Sequence, residues 1–330
     1  MAWEASALPT ELRPRASILA PVLTVRSQPV PTLFLVRALV AALGIATLLV
    51  LTGANGAAPA SRAADPSVFG GLGTWVDIYD GPVFAAPEQN AARIAARGVK
   101  TVWIETSNDQ APLDVMRPLL LGRFVDALHA HGVDAVAWYL PGHVDPALDV
   151  RRALAMLSFR TTGGGAFDGV ALDIESTELR NVGLRSLRAV TLAKRVRQAA
   201  GDTPFAIIPF NPRGLERQPK AWPRFPWAGL AAQCDAFAPM VYTSGLQGFD
   251  ATYGYVTRAL RLLRTDTGNP GVPIHVIGGV ANKLGPNEIA GFAAAVADDG
   301  NVIGVSLYDW RTTSPAEWRV LDGLVGSLSP

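Results

Sequence analysis

From about residue 70 onward, apolar runs rich in Val, Ile, Trp and Tyr alternate with stretches whose apolar residues recur at a helical spacing. A short continuous apolar run suits a strand covered on both faces, and a period near 3.6 suits a helix with one buried side. Their alternation predicts parallel strands joined by crossover helices. Eight rounds occur, with strands predicted over Thr74–Asp80, Lys100–Thr106, Asp134–Leu140, Gly169–Glu175, Phe205–Asn211, Ala236–Tyr242, Ile274–Val280 and Val302–Trp310. The intervening helices carry start and stop signals: Pro87 suits a first turn and Gly98 a C-terminal cap, and the stretches ending at Gly132 and Gly300 stop the same way. Eight βα units over about 255 residues fit a (β/α)8 barrel. A doubly wound open sheet is the alternative. It would bring a glycine-rich phosphate turn after its first strand, whereas the glycines at Gly70, Gly71 and Gly73 precede the predicted one.

The first sixty residues follow another pattern. Arg13, Arg15, Arg26 and Arg37 precede an uncharged apolar stretch, Ala38 to Thr52, the length of a signal-peptide core, and Ala58 and Ala60 offer a small-x-small cleavage pattern. With Val30 to Leu35 added, the segment is also long enough to stay as an uncleaved N-terminal anchor, with Arg37 reaching the interface. The arginines before the apolar core orient either version with the following domain outside. The long basic region leaves room for a start codon downstream of Met1. The expected organisation is a signal peptide or membrane anchor with a short linker over residues 1–64 and a barrel over 65–330, secreted or held at the cell surface.

Composition narrows the partner. Hydrophobic residues make up 49% of the chain and charged residues 17%, enough apolar material for a sizeable core. With 29 basic and 28 acidic side chains the formal charge is +1, so no nucleic-acid stripe is expected, and the basic stretch Leu179–Gln198 reads as the solvated face of a helix. A neutral ligand and a monomeric chain fit better. Cys234 has no intrachain cysteine to pair with. The histidines, His129, His131, His143 and His275, have no ligand spacing on one helix face, so neither metal nor cofactor is expected. His143 is set apart by its place in the loop after the third strand.

Two acids interrupt the fourth apolar run, Phe167 to Ser176. A buried acid is costly unless paired or hydrogen-bonded, and side chains alternate along a strand, so Ala171, Asp173 and Glu175 share one face while Leu172 and Ile174 take the other. With the apolar pair on the helices, the acids point into the barrel mouth at the strand's carboxyl end, where barrel active sites lie. Their Cβ atoms are then roughly 7 Å apart. Like charges at that separation, short of water, tend to keep one carboxyl protonated near neutral pH, as a general acid requires. A structural ion pair or hydrogen-bond network is the alternative.

Aromatic residues fall where a sugar-binding barrel needs them, although each could equally fill the core. Trp75, Trp103, Trp138 and Trp310 lie in predicted strands, and Tyr79, Tyr139, Tyr242 and Tyr308 lie near strand ends. Met240 shares a face with Tyr242, and Tyr308 with Trp310. Asp77, Tyr79, Glu105 and Asn211 are further candidates for the mouth, while Asp80 and Asp309 suit helix caps or loops. Trp222 and Trp227 either line a cleft or cover the rim.

The run Asp168-Gly-Val-Ala-Leu-Asp-Ile-Glu175 resembles the strand-four signature of family 18 glycoside hydrolases, the chitinases and their relatives, D-G-x-D-x-D-x-E. Asp168, Gly169, Asp173 and Glu175 match, and Ala171 replaces the second Asp. Pro239 to Tyr242 is similar to the family's M-x-Y-D, with Thr243 at the Asp, and Trp310 ends strand eight where the family places a tryptophan under the sugar. The S-x-G-G element of strand three is absent. The resemblance implies a (β/α)8 barrel acting on a polysaccharide or oligosaccharide. Glu175 would protonate the glycosidic oxygen, Asp173 would hold the substrate acetamido N–H, and Tyr242 would bond the acetamido oxygen, with the substrate's own acetamido group serving as nucleophile. Asp168, Trp310, Tyr308, Tyr79, Glu105, Trp138, Asn211 and Met240 complete the expected substrate-binding set. A glycosidase pairing Glu on strands four and seven is disfavoured, because Ile274 to Lys283 contains no acid.

The expected activity is hydrolysis of a β-linked glycan, one with 2-acetamido sugars fitting the resemblance. Ala171 and the missing S-x-G-G and Asp elements favour a second reading, a non-catalytic glycan-binding barrel of the cell envelope. A barrel enzyme of another class, or an envelope scaffold, is the third.

Overall fold

Eight parallel strands close into a barrel in sequence order, the eighth pairing back onto the first. They are β1 (Gly71–Val76), β2 (Thr101–Asn108), β3 (Asp134–Leu140), β4 (Gly169–Ile174), β5 (Phe205–Pro209), β6 (Ala236–Phe237), β7 (Ile274–Val280) and β8 (Val302–Tyr308) in a computed structural model that describes residues 64–328. The connections carry α1 (Gly81–Ala85) and α2 (Pro87–Ala95), α3 (Pro118–Ala130), α4 (Pro146–Ser158), α5 (Val182–Ala200), α6 (Pro212–Arg217) and α7 (Trp227–Ala231), α8 (Phe249–Thr267) and α9 (Pro286–Asp299), and α10 (Pro315–Leu324) follows β8. The apolar N-terminal stretch and its cleavage residues lie outside the described residues. Among the described residues no helix is long and apolar enough to cross a membrane.

Strand parity divides the core in two. Leu72, Val76, Val102, Ile104, Leu172, Ile174, Val305 and Leu307 face outward and pack in one apolar layer with helix residues such as Ile94, Phe124, Leu192, Leu260 and Phe292. The alternate residues fill the barrel. A short 3-10 turn, Pro66–Phe69, plugs its lower end, and the Phe69 ring stacks 5.4 Å from Trp103, which stacks 4.8 Å from Trp75. Trp138 meets Trp75 edge-on at 6.0 Å. Trp75, Trp103 and Trp138 thus build the barrel interior.

A hydrogen-bond chain locks this column. His275 is fully buried and its pKa is pushed down to about 4, chiefly by burial, so the ring is neutral. Its Nδ1 lies 2.7 Å from the Phe69 carbonyl, which only accepts, so Nδ1 carries the proton and Nε2, 2.9 Å from Ser306 Oγ, accepts from the hydroxyl. Ser306 in turn accepts from Trp75 Nε1 at 2.8 Å. The imidazole fits because its neighbours lack side chains: a Cβ on Gly304 would sit 2.2 Å from Nδ1, and one on Gly73 would sit 2.6 Å from Cε1.

Several element boundaries differ from the pattern-based expectation. β1 begins at Gly71 and stops at Val76, so Gly71 and Gly73, expected before it, fall in its first half, while Gly70 caps the 3-10 turn. Asp77, Tyr79 and Asp80 stand above it in a loop. β6 is two residues long because Pro239 has no N–H to donate; Met240 keeps an isolated bridge to Ile277. α5 is not solvated throughout: Arg185 is buried, with its guanidinium 4.0 Å from the Trp222 ring centroid. Trp222 is itself buried and Trp227 nearly so, which makes them rim packing.

Gly304→Ala should therefore be costly despite its small size. Its Cβ meets both the imidazole and the Phe69 carbonyl at 2.4 Å, and overpacking of this kind costs about 3 kcal/mol. In a domain of this size that lowers the melting temperature by about 6–10 °C. A shift within a degree of the parent protein would contradict the interior packing described.

Candidate active site

Asp173 is the next inward residue of β4 above Ala171, and Glu175 follows directly after the strand. Asp173 is 6% exposed, and its Oδ1 has no hydrogen-bond partner among the described residues. Glu175 is half-buried. Burial first, then the charges of Glu175 and Glu105, hold the Asp173 carboxyl well above the usual range. Tyr242 lies within the field of Glu175, Asp173 and Asp309, and burial with those charges raises its phenol too.

Glu105 comes from β2 and is buried. Lateral pairing aligns Glu105 with Trp138, and Trp138 with Ala171, so Glu105 stands at the level of Ala171, two strands away. Its Oε1 accepts from Asn108 Nδ2 at 2.9 Å and its Oε2 from the Ile78 N–H at 3.1 Å. Burial and the Asp77 charge outweigh those bonds and push its pKa up to about 8. Asn108 Nδ2 also reaches the Tyr79 hydroxyl at 3.2 Å, which ties Tyr79 to the same group.

Asp77 completes the wall from β1. It accepts from the Tyr308 hydroxyl at 3.0 Å and from the Tyr79 N–H at 2.7 Å. Asp80 and Asp309, expected as caps or loop residues, are buried beside it. These three acids bring one carboxylate oxygen each within 4.8 Å of one another, the spacing a metal ion requires. Most of their oxygens have hydrogen-bond partners: Asp80 Oδ1 has Arg311 Nη1 at 2.7 Å, Asp80 Oδ2 the Asp77 N–H and Asp309 Oδ1 the Thr312 N–H. Arg311 supplies positive charge there, yet burial and Asp77 still push the Asp80 pKa up to about 7.

The structure thus brings Asp173, Glu175, Tyr242, Glu105, Tyr308, Tyr79 and Asp77 together, and adds Asn108. Met240 is buried on the β7 side at Ile277, and Trp138 forms part of the floor. Three expected members lie elsewhere. Asp168 sits before the start of β4, at the opposite end of the barrel, where it accepts from the Ala135 N–H and meets His129 Nε2, both at 2.8 Å. Asn211 caps α6 and donates to the Tyr255 hydroxyl at 2.9 Å. Trp310 is past the end of β8, where strand alternation no longer aims the side chain, and its ring packs 5.8 Å from Trp318 of α10. His143 is also in the outer layer, edge-on to Trp222. The tight Asp77–Asp80–Asp309 grouping, missed from sequence, carries one local signal: acids three apart just past a strand.

No family model matches the sequence, and no curated protein does. Solved structures do resemble the fold. A GH18 chitinase from Pseudoalteromonas aurantia matches with a TM-score of 0.56 at 12% identity, over 78% of this chain and 100% of that one. The endo-beta-1,4-mannanase from Thermotoga petrophila matches at 0.57 and 10%, over 78% and 76%. The spore cortex-lytic enzyme SleL from Bacillus cereus matches at 0.56 and 10%, over 79% and 74%. The chain has the barrel fold of chitinases and related glycoside hydrolases.

The raised carboxyl pKa values fix a pH trend. Glu105 has a folded-state pKa of about 8 against 4.5 unperturbed, so between those values the folded chain holds the extra proton and unfolding releases it. Stability should fall as pH rises through this window, by a few kcal/mol in all, and Glu105→Gln should flatten the fall. Denaturant unfolding from about pH 5 to pH 8 checks this; equal slopes in parent and variant would contradict it.

Proposed function

We propose that the protein is an exported glycoside hydrolase that cleaves a β-linked glycan carrying 2-acetamido sugars. The observation that carries this reading is the carboxyl pair on β4, a buried acid whose pKa is raised by burial and by the charge of its half-buried neighbour, at the carboxyl end of a chitinase-like barrel. In this reading Glu175 donates its proton to the glycosidic oxygen as the C1–O bond breaks, and the acetamido oxygen of the same sugar closes onto C1. Asp173 accepts the acetamido N–H on its unpartnered oxygen, and Tyr242 donates to the acetamido oxygen. Water then attacks C1 as the bond from C1 to the acetamido oxygen breaks, losing its proton to Glu175 and restoring the acid. Glu105 brings a carboxyl into the field of Asp173, a contribution that Ala171 cannot make. The N-terminal apolar segment supports action outside the cytoplasm, with cleavage or anchoring as its two forms.

Ala171 and Thr243 favour a second reading, a barrel that binds glycans without turnover. Thr243 is fully buried and donates to the Gly278 carbonyl at 2.9 Å, so it does not replace an acid.

Glu175→Gln separates the two. It keeps shape and polarity but removes the proton, so turnover on a panel of acetamido oligosaccharides should fall by about 10²- to 10⁴-fold with binding retained and the melting temperature nearly unchanged. An active variant would remove Glu175 from the chemistry. A parent protein that binds the panel without cleaving it would establish the second reading.

A further inference from the structure

A cavity of about 670 Å³ opens on the flank of the barrel between α2 and α10 and meets the carboxyl cluster at Arg311, which pairs with Asp80. Three guanidinium groups, Arg93, Arg97 and Arg311, and two indoles, Trp310 and Trp318, line it, and no carboxylate does. Arg93 and Arg97 lie one helical turn apart and are exposed. Neither pairs with an acid among the described residues. Arg93 stands 5.9 Å from the centroid of the half-buried Trp310 ring. A helix C-terminus accounts for the sign of the charge on α2. It does not account for the Trp310 ring beneath Arg93, or for Arg93 and Arg97 facing the same cavity as Arg311, whose own partner is Asp80. Asp80 answers the charge of Arg311, whereas Arg93 and Arg97 bring two further cations to a cavity that no acid lines.

The chemistry of the lining selects a ligand. Guanidinium forks take a carboxylate through paired hydrogen bonds, an indole face takes the apolar face of a sugar ring, and the volume suits one or two sugar units. We propose that this groove binds a carboxylate-bearing sugar unit, such as a uronic acid or a lactyl-ether sugar, as a site separate from the barrel mouth. The proposal does not rest on the hydrolytic reading. It makes the target glycan acidic, which the near-zero net charge of the chain does not suggest.

The test is a titration of the full chain with glucuronate, N-acetylmuramate, glucose and inorganic phosphate, followed by the indole N–H signals of Trp310 and Trp318 and by calorimetry. Saturable binding of a carboxylated sugar that moves these two signals is expected. Glucose should give none, and phosphate should bind at least about tenfold more weakly. Arg93→Gln with Arg97→Gln should weaken carboxylated-sugar binding by about tenfold or more at an unchanged melting temperature. Arg311 stays in place because it holds Asp80. Binding should persist in Glu175→Gln, so loss of hydrolysis and loss of this site are read independently. Absence of saturable binding would overturn the proposal, as would signals moving elsewhere, glucose binding equally, undiminished binding in the double variant, or phosphate matching the sugars, which marks a plain anion site.

Discussion

The aromatic column inside the barrel is the constraint from which the chemistry above it follows. Phe69, Trp103, Trp75 and Trp138 fill the lower interior; hydrogen bonds satisfy Trp75, Ser306 and His275, while the indole N–H groups of Trp103 and Trp138 have no partner among the described residues. Carboxyls seated on this floor cannot be hydrated from below, and their own side walls are strands. Asp173, Glu105, Asp77 and Asp80 therefore all have raised pKa values with burial as the leading cause, and mutual repulsion adds to it. The arrangement stores protons near neutral pH, which suits acid catalysis and costs stability.

Relief of that cost is uneven. Asp77, Glu105 and Asp80 accept hydrogen bonds from Tyr308, Asn108, backbone N–H groups and Arg311. Asp173 keeps an unpartnered oxygen. An acid left in that state at the open end of a barrel is a poor structural element and a good receptor for an N–H, and this asymmetry separates Asp173 from its neighbours. The comparison folds belong to proteins named for chitin, mannan and spore cortex, so the barrel alone does not choose a substrate; the residues at the strand ends do.

Much of this was legible in the sequence, because strand and helix periodicities are local. β3 and β7 begin and end where their apolar runs do. The inward placement of Asp173 follows from the parity of Leu172 and Ile174. What failed was non-local. Gly73 looks like a loop residue until His275, contributed by a strand two hundred residues later, needs the space. Asp80 starts α1 and Asp309 lies in a loop, as their positions suggest, but only closure of β8 on β1 sets them together. Asp168 shares a motif with Glu175 but sits at the other end of the strand, and Trp310 shares parity with Tyr308 only while the strand lasts.

The central claim is that the mouth carboxyls hold protons near neutral pH, and carbon NMR of the Asp and Glu side-chain carboxyls across a pH titration tests it most directly. The account predicts a carboxyl signal, lost in Glu105→Gln, that titrates at about pH 8, and another, lost in Asp173→Asn, that titrates well above the range of an ordinary carboxylate. Titration of every side-chain carboxyl below about pH 5 would contradict it.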